Sequence, residues 1–162
     1  MKDILDKIGS YNIFNYLLPG IIFSVFISKI SSYNLIQEDA LVGAFIYYFV
    51  GSIVSRLGSL VVEPLLKWLR IISFAPYEQF VHASKKDAKL EILSEANNMY
   101  RTICAMLLCI SLVFAYDKIA QQVELLRISE PVVCVLSLMA LFVLSYRKQT
   151  AYIEKRVSAN IE

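Results

Sequence analysis

The stretch LVGAFIYYFVGSIVSRLGSLVVEP, residues 41–64, decides how the rest of the chain is read. As a helix it is long enough to cross the ~30 Å hydrocarbon core of a bilayer at about 1.5 Å per residue. It is not a uniform apolar anchor. Gly51, Ser55 and Ser59 recur every four residues, with Gly58 beside them. Small residues at that spacing let a second backbone approach closely, and Gly51, Ser55 and Gly58 are the expected helix-packing positions. Tyr48, Ser52, Arg56, Ser59 and Glu63 follow one another at spacings of four, four, three and four. On a regular helix that is a single polar stripe. An arginine in a span is costly unless it faces protein, water or an acid, and the acid on this stripe is Glu63. Two readings stand open. The stripe lines a pore or forms a charged switch between subunits; alternatively, Arg56 snorkels to the cytoplasmic surface while Glu63 sits among the headgroups.

On the N-terminal side, residues 13–30 form another apolar run. Within it Asn15, Pro19 and Gly20 mark a hinge or a tolerated kink, because Pro19 has no N–H to bond the Asn15 carbonyl. Tyr11, Phe14 and Tyr16 suit the headgroup level. Residues 1–9 place Ile4, Leu5 and Ile8 against charges, as a short interfacial amphipathic turn would, with Ser10 or Asn12 as the cap of the span. The charges in this opening stretch and the lack of a clean small-residue cleavage site predict that the first apolar run is retained as a span.

On the C-terminal side, Pro64 is expected to open a separate surface helix, PLLKWLRIISF, too short to span, with Lys67, Trp68 and Arg70 as interfacial anchors. Ser84 and Asp87 resemble a capping box. A helix is therefore expected from near Lys85, running out of the cytoplasm and into the third apolar run. The third and fourth spans, residues 102–119 and 131–146, have uncharged cores shorter than the usual ~17–25 residues. Snorkelling of Arg101, Lys118, Arg147 and Lys148 extends them, and Ser129 and Pro131 are placed to start the fourth.

The fold class follows: all-α, a polytopic membrane protein of four transmembrane helices with a cytoplasmic helical hairpin over residues 63–101. An apolar fraction of 57% and a mean hydropathy of +0.57 exceed the soluble norm of about 45–50% apolar. Charge sets the orientation. With both termini and residues 56–101 on one side, only Lys29, Lys118 and Arg127 of the sixteen basic residues fall on the other. The positive-inside rule then makes both termini cytoplasmic.

Little chemistry is written into the chain. A phosphate-cradling glycine loop, HExxH, a nucleophile elbow and paired metal-binding cysteines are all missing. Cys104, Cys109 and Cys134 lie inside apolar runs and read as small buried hydrophobes, and His82 has no companion ligands. No catalytic residue, cofactor or metal is therefore expected, and a net charge of +2 argues against direct nucleic-acid binding. A four-span chain has little surface of its own on which to act. The expectation is a homo-oligomer in the lipid bilayer, with residues 63–101 docking a cytosolic protein partner.

Two segments, FNYLLPGIIF (residues 14–23) and SRLGSLVVEPLL (residues 55–66), resemble a pattern in small bacterial membrane proteins, some of which accompany antiphage defence genes. The four-span plan is similar to that of the membrane subunit of the Kiwa defence system, which works beside a cytosolic DNA-binding subunit. The resemblance implies a non-enzymatic component of the bacterial inner membrane that senses disturbance or permeabilises the membrane together with a cytosolic partner. An anchor that recruits a soluble effector without conducting is the alternative. A small transporter subunit is the third, disfavoured by the absence of an internal repeat.

Overall fold

The computed structural model describes residues 12–161. The expected amphipathic turn at residues 1–9, with Ser10 and Tyr11, lies outside them. Five helices account for nearly all of the described chain: α1 (Ile13–Ile30), α2 (Ala40–Trp68), α3 (Tyr77–Ser84), α4 (Lys89–Ala120) and α5 (Glu124–Ile161). α1, α2, α4 and α5 each contain a segment long and apolar enough to cross a membrane.

α1 and α2 are not plain α-helices. Residues Ile13–Leu17 of α1 and Gly58–Val62 of α2 are π-helical turns. In each, the residue after the turn bonds five residues back: Leu18 N–H to the Ile13 carbonyl, and Glu63 N–H to the Gly58 carbonyl. In each, the next residue is a proline, Pro19 or Pro64. The proline ring clashes with the carbonyl four residues before it and offers no N–H, so widening the preceding turn keeps the helix going. Pro64 therefore does not start a separate surface helix. α2 continues through it to Trp68 and then ends with Arg70 in the left-handed region at φ 58°, where Arg70 N bonds the Lys67 carbonyl and Ile71 N the Leu66 carbonyl.

Two other expected starts are displaced. Ser84 donates to the Val81 carbonyl instead of capping a helix; Asp87 Oδ1 accepts from Lys89 N, and α4 begins there. The helix of the fourth expected span, α5, starts at Glu124, ahead of Ser129, and carries Pro131 within it. Asn12, considered as a cap for α1, has helical dihedrals and makes no side-chain cap. Asp39 caps α2, its Oδ1 accepting from Val42 N at 2.8 Å.

The tightest packing is between α1 and α2. A Cβ added to Gly20 would lie 1.8 Å from the Tyr47 carbonyl oxygen, and one on Gly51 would lie 1.7 Å from that of Tyr16. Backbones touch here, which only glycine permits. α4 completes a three-helix body with α1 and α2. Val54, Val62, Ala105 and Met106 form its apolar centre, and Ile22, Phe23, Leu66 and Ile110 pack around it. At the far end the 31–39 loop is fastened by hydrogen bonds of Ser32 to Asp117, Leu35 N to Ser28 Oγ and Gln37 N to the Tyr47 hydroxyl. Burial there, followed by the Glu130 carboxylate, pushes the Tyr33 hydroxyl up to about 12.

α5 is held differently. Between 22 and 28% of each of the first three candidate spans is buried within the chain, against 11% of the fourth. Its ring contacts are Phe142 stacked on Phe49 at 6.0 Å and Tyr152 against Tyr77 of α3 at 6.2 Å. Its polar attachments lie at both ends: the Tyr116 hydroxyl of α4 donates to the Leu126 carbonyl at 3.3 Å, and Lys148 reaches α2.

Candidate functional site

Glu63 lies where the beginning of α1, the first half of α4 and the later halves of α2 and α5 come together. Its side chain is 8% exposed. A carboxylate so buried must be matched by charge and hydrogen bonds. Arg101 Nη1 of α4 donates to Oε2 at 2.8 Å, and Lys67 Nζ, one turn along α2, donates to Oε1 at 2.9 Å. Lys148 Nζ of α5 stands 3.8 Å from Oε1. One carboxylate thus joins three helices.

Lys148 has a second task that follows from the π turn. The Ser59 carbonyl would ordinarily accept from the N–H of Glu63, but that N–H is turned to Gly58. The next donor along is Pro64, which has none. Lys148 Nζ supplies the missing bond, donating to the Ser59 carbonyl at 2.5 Å, and lies 2.8 Å from Ser59 Oγ. A backbone irregularity imposed by a proline in α2 is therefore closed by a side chain from α5.

Next to this cluster is a neutral one. Thr102 is fully buried and Asn15 and Ser55 nearly so. Thr102 Oγ1 donates to Asn15 Oδ1 at 2.8 Å, and Asn15 Nδ2 donates to Ser55 Oγ at 3.3 Å. Ser55 and Thr102 hydroxyls are 3.2 Å apart. The three groups form a closed ring of polar contacts across α1, α2 and α4. Thr102 Oγ1 also lies 2.9 Å from the Asn98 carbonyl. With Arg101 and Thr102 adjacent on α4, the ring and the ionic cluster form one polar layer.

The five residues of the expected stripe meet different fates. Tyr48 sits edge-on to Tyr16 at 5.4 Å, and Ser52 Oγ donates to the Phe49 carbonyl of its own helix. Ser59 and Glu63 belong to the Lys148 and Arg101 cluster. Arg56 makes no ion pair with any described residue, so the expected Arg56–Glu63 pair is replaced by Arg101, Lys67 and Lys148. The reason is the π turn between them, which adds a residue to the helical count and turns Glu63 by about 100° from its regular position. Arg56, Ser59 and Glu63 still border one open cleft of about 560 Å³, reached by Arg101, Asn98 and Tyr152 from the other helices.

The packing positions lie against helices of the same chain: Gly51 against Tyr16 of α1, Ser55 in the hydroxyl ring, and Gly58 facing Arg101 and Ala105 of α4. Asn15 is a member of the ring, Pro19 and Gly20 are buried at the α1–α2 contact, and the hinge reading of these residues has no alternative arrangement to point to. Trp68 is 78% exposed at the end of α2, Lys67 also lies over the Phe74 ring at 4.3 Å, and Arg70 terminates the helix. The cysteines expected to be buried are not: Cys104 and Cys134 are exposed and Cys109 is half-buried, on helix faces turned away from the chain's own core. Sequence reasoning missed Thr102 and the roles of Arg101 and Lys148. The usable signal was a polar Arg-Thr pair opening an apolar run.

Among the described residues the site contains no nucleophile beside a base, and no three His, Cys, Asp or Glu residues group as metal ligands. Its chemistry is electrostatic: a buried carboxylate, a set of cations around it and a cleft open beside them. No protein-family model, no curated protein and no solved structure matches the chain.

Proposed function

We propose that the protein is a non-enzymatic, multi-pass subunit of the bacterial inner membrane. Its fourth spanning helix responds to the state of the bilayer and passes that response to a cytosolic partner. The observation that carries this reading is the uneven attachment of α5. Most of the apolar surface between its ends is left to lipid. Its beginning is held to α4 by the Tyr116 hydroxyl on the Leu126 carbonyl, and its later half to Glu63 and Ser59 through Lys148 and to α3 through Tyr152. A helix surrounded mostly by lipid takes its tilt from bilayer thickness, while helices buried against each other do not. The Lys148 attachment adjoins α3, which is short, amphipathic and part of the 63–101 segment expected to receive a partner. Both termini are cytoplasmic on this reading, by the distribution of basic residues. The setting in phage defence rests on the resemblance of residues 14–23 and 55–66. Oligomers, if formed, use a face other than Gly51, Ser55 and Gly58, which are occupied within the chain.

The test has two arms. Reporter fusions should be cytoplasmic at residue 85 and external at residue 35, and an external signal at residue 85 refutes the orientation. Spin labels at Phe45→Cys and Met139→Cys, both exposed positions, are then placed in a chain whose native cysteines are replaced by serine. The α2–α5 distance distribution should shift when the protein moves from long-chain to short-chain phosphatidylcholine. An unchanged distribution removes the sensing role.

A further inference from the structure

The cleft beside Glu63 carries more positive charge than the fold uses. Arg56, Lys67, Arg101 and Lys155 all line it, and Glu63 is its one carboxylate among the described residues. Glu63 is already met by Lys67, Arg101 and, at longer range, Lys148. Arg56 and Lys155 have no ion pair with a described residue. Arg101 adds a second sign. While its Nη1 holds Glu63, its Nε is buried and has no hydrogen-bond partner among the described residues. Glu78 and Glu154 border the neighbouring groove, which shares Tyr77 and Lys155 with the cleft but not Arg56 or Arg101. The amides of Asn98 and Gln149 and the ring of Tyr152 also line the cleft. About 560 Å³ is too large for a bare ion and lies within the usual ~300–1,000 Å³ range of small-molecule sites.

We propose that this cleft binds a phosphate-bearing anion of headgroup size, with Arg56 and Lys155 as its principal charge partners and the amides of Asn98 and Gln149 orienting it. Guanidinium and ammonium groups are the usual phosphate ligands, and arginine can meet two phosphate oxygens at once. The position fits two sources of the same chemistry. The cleft lies at the end of the spanning helices, where a phospholipid headgroup would reach it, and it is open to a free phosphate ester. The site stands on charge and shape, and it would exist whether or not α5 senses the bilayer.

The experiment uses the full chain. Lipid binding is read as retained lipid in native mass spectrometry after release from nanodiscs of phosphatidylglycerol in excess phosphatidylcholine. Free-phosphate binding is read by titrating detergent-solubilised protein with glycerol 3-phosphate. Arg56→Gln and Lys155→Gln remove cations that the fold does not pair, so both variants should insert and fold. Each should weaken binding about fivefold, and the double variant more than about tenfold. Lys29→Gln/Lys118→Gln, at the far end, should leave binding unchanged. Loss in the phosphatidylglycerol arm alone identifies the ligand as lipid, and loss in the glycerol 3-phosphate arm alone identifies a soluble ester. The proposal is overturned if neither probe binds, if binding is indifferent to Arg56 and Lys155, or if the far-end variant weakens it equally.

Discussion

Replacing Glu63 by glutamine keeps the size and one acceptor of the side chain and removes the charge that three cations share. The effect on each partner can be ranked from its burial. Arg101 is 18% exposed, Lys148 25% and Lys67 44%. Lys67, one turn away on the same helix and nearly half in solvent, contributes about 0.3–0.5 kcal/mol, as exposed pairs of this spacing do. Arg101 is the costly one. Removing one partner of a buried pair leaves a desolvated charge and costs about 3–5 kcal/mol. The partial exposure of Arg101 and Lys148 places Glu63→Gln at the lower end of that range, about 3 kcal/mol. Arg101→Met should cost somewhat less, because Lys67 and Lys148 remain to hold the carboxylate, and Lys67→Met less than about 0.5 kcal/mol. The double variant Glu63→Gln/Arg101→Met strands neither charge of that pair and should fall short of the sum of the two singles by about 1–2 kcal/mol. Equilibrium unfolding in mixed micelles of increasing sodium dodecyl sulfate, followed by Trp68 fluorescence and by helix content, measures all four. A Glu63→Gln cost of only about 0.5 kcal/mol, the scale of a solvated surface pair, would show that the cluster is wet and does not hold the helices together. A double variant that is simply additive would show the same.

The glycines separate by the distances their missing Cβ atoms would have. Gly51→Ala and Gly20→Ala place a methyl 1.7 and 1.8 Å from a backbone carbonyl oxygen. Each should cost more than about 3 kcal/mol, read as failure to accumulate in the membrane or a collapsed unfolding midpoint. Gly58→Ala meets the Ala105 methyl at 3.2 Å and the Arg101 carbonyl oxygen at 3.3 Å, so α4 must give by a few tenths of an ångström, far less than at Gly20 or Gly51. With the helix propensity gained, its net effect should stay within about 1 kcal/mol. Thr102→Val keeps the shape and deletes the hydroxyl of the ring, at a cost of about 1–2 kcal/mol in the same unfolding assay, whereas Thr102→Ser should lose less than about 1 kcal/mol.

The helices were legible because apolar runs of spanning length have few other uses, and the four runs coincide with the four long helices. Their edges were less so. A rule that holds in water-exposed chains makes Pro64 and Pro131 helix starts, but both lie inside continuous helices, Pro64 behind a widened turn. That widened turn is also why the candidate site is only half legible. A stripe from Tyr48 to Glu63 needs about 3.6 residues per turn throughout, and the count fails between Gly58 and Val62. Arg56 and Glu63 stand out in the sequence as charges at the end of an apolar run, and Glu63 is the one that is buried. Their partners do not stand out, because Arg101 and Lys148 come from helices whose rotation no local spacing determines. Asn15 is visible as a polar group needing a partner; that the partner is Thr102, eighty-seven residues on, depends on how α1 meets α4.

The three cations around Glu63 also have an order in time. The chain is made from its N-terminus, so Glu63 leaves the ribosome before either Arg101 or Lys148 exists. Lys67 follows four residues later on the same helical turn and is the first positive charge able to reach the carboxylate. In the finished fold it is the most exposed of the three and contributes least. While the chain is being made it is the only one of them present beside the acid that α2 carries near its end. Arg101 arrives with α4 and Lys148 last, so the carboxylate passes from a temporary local escort to its permanent partners as synthesis proceeds.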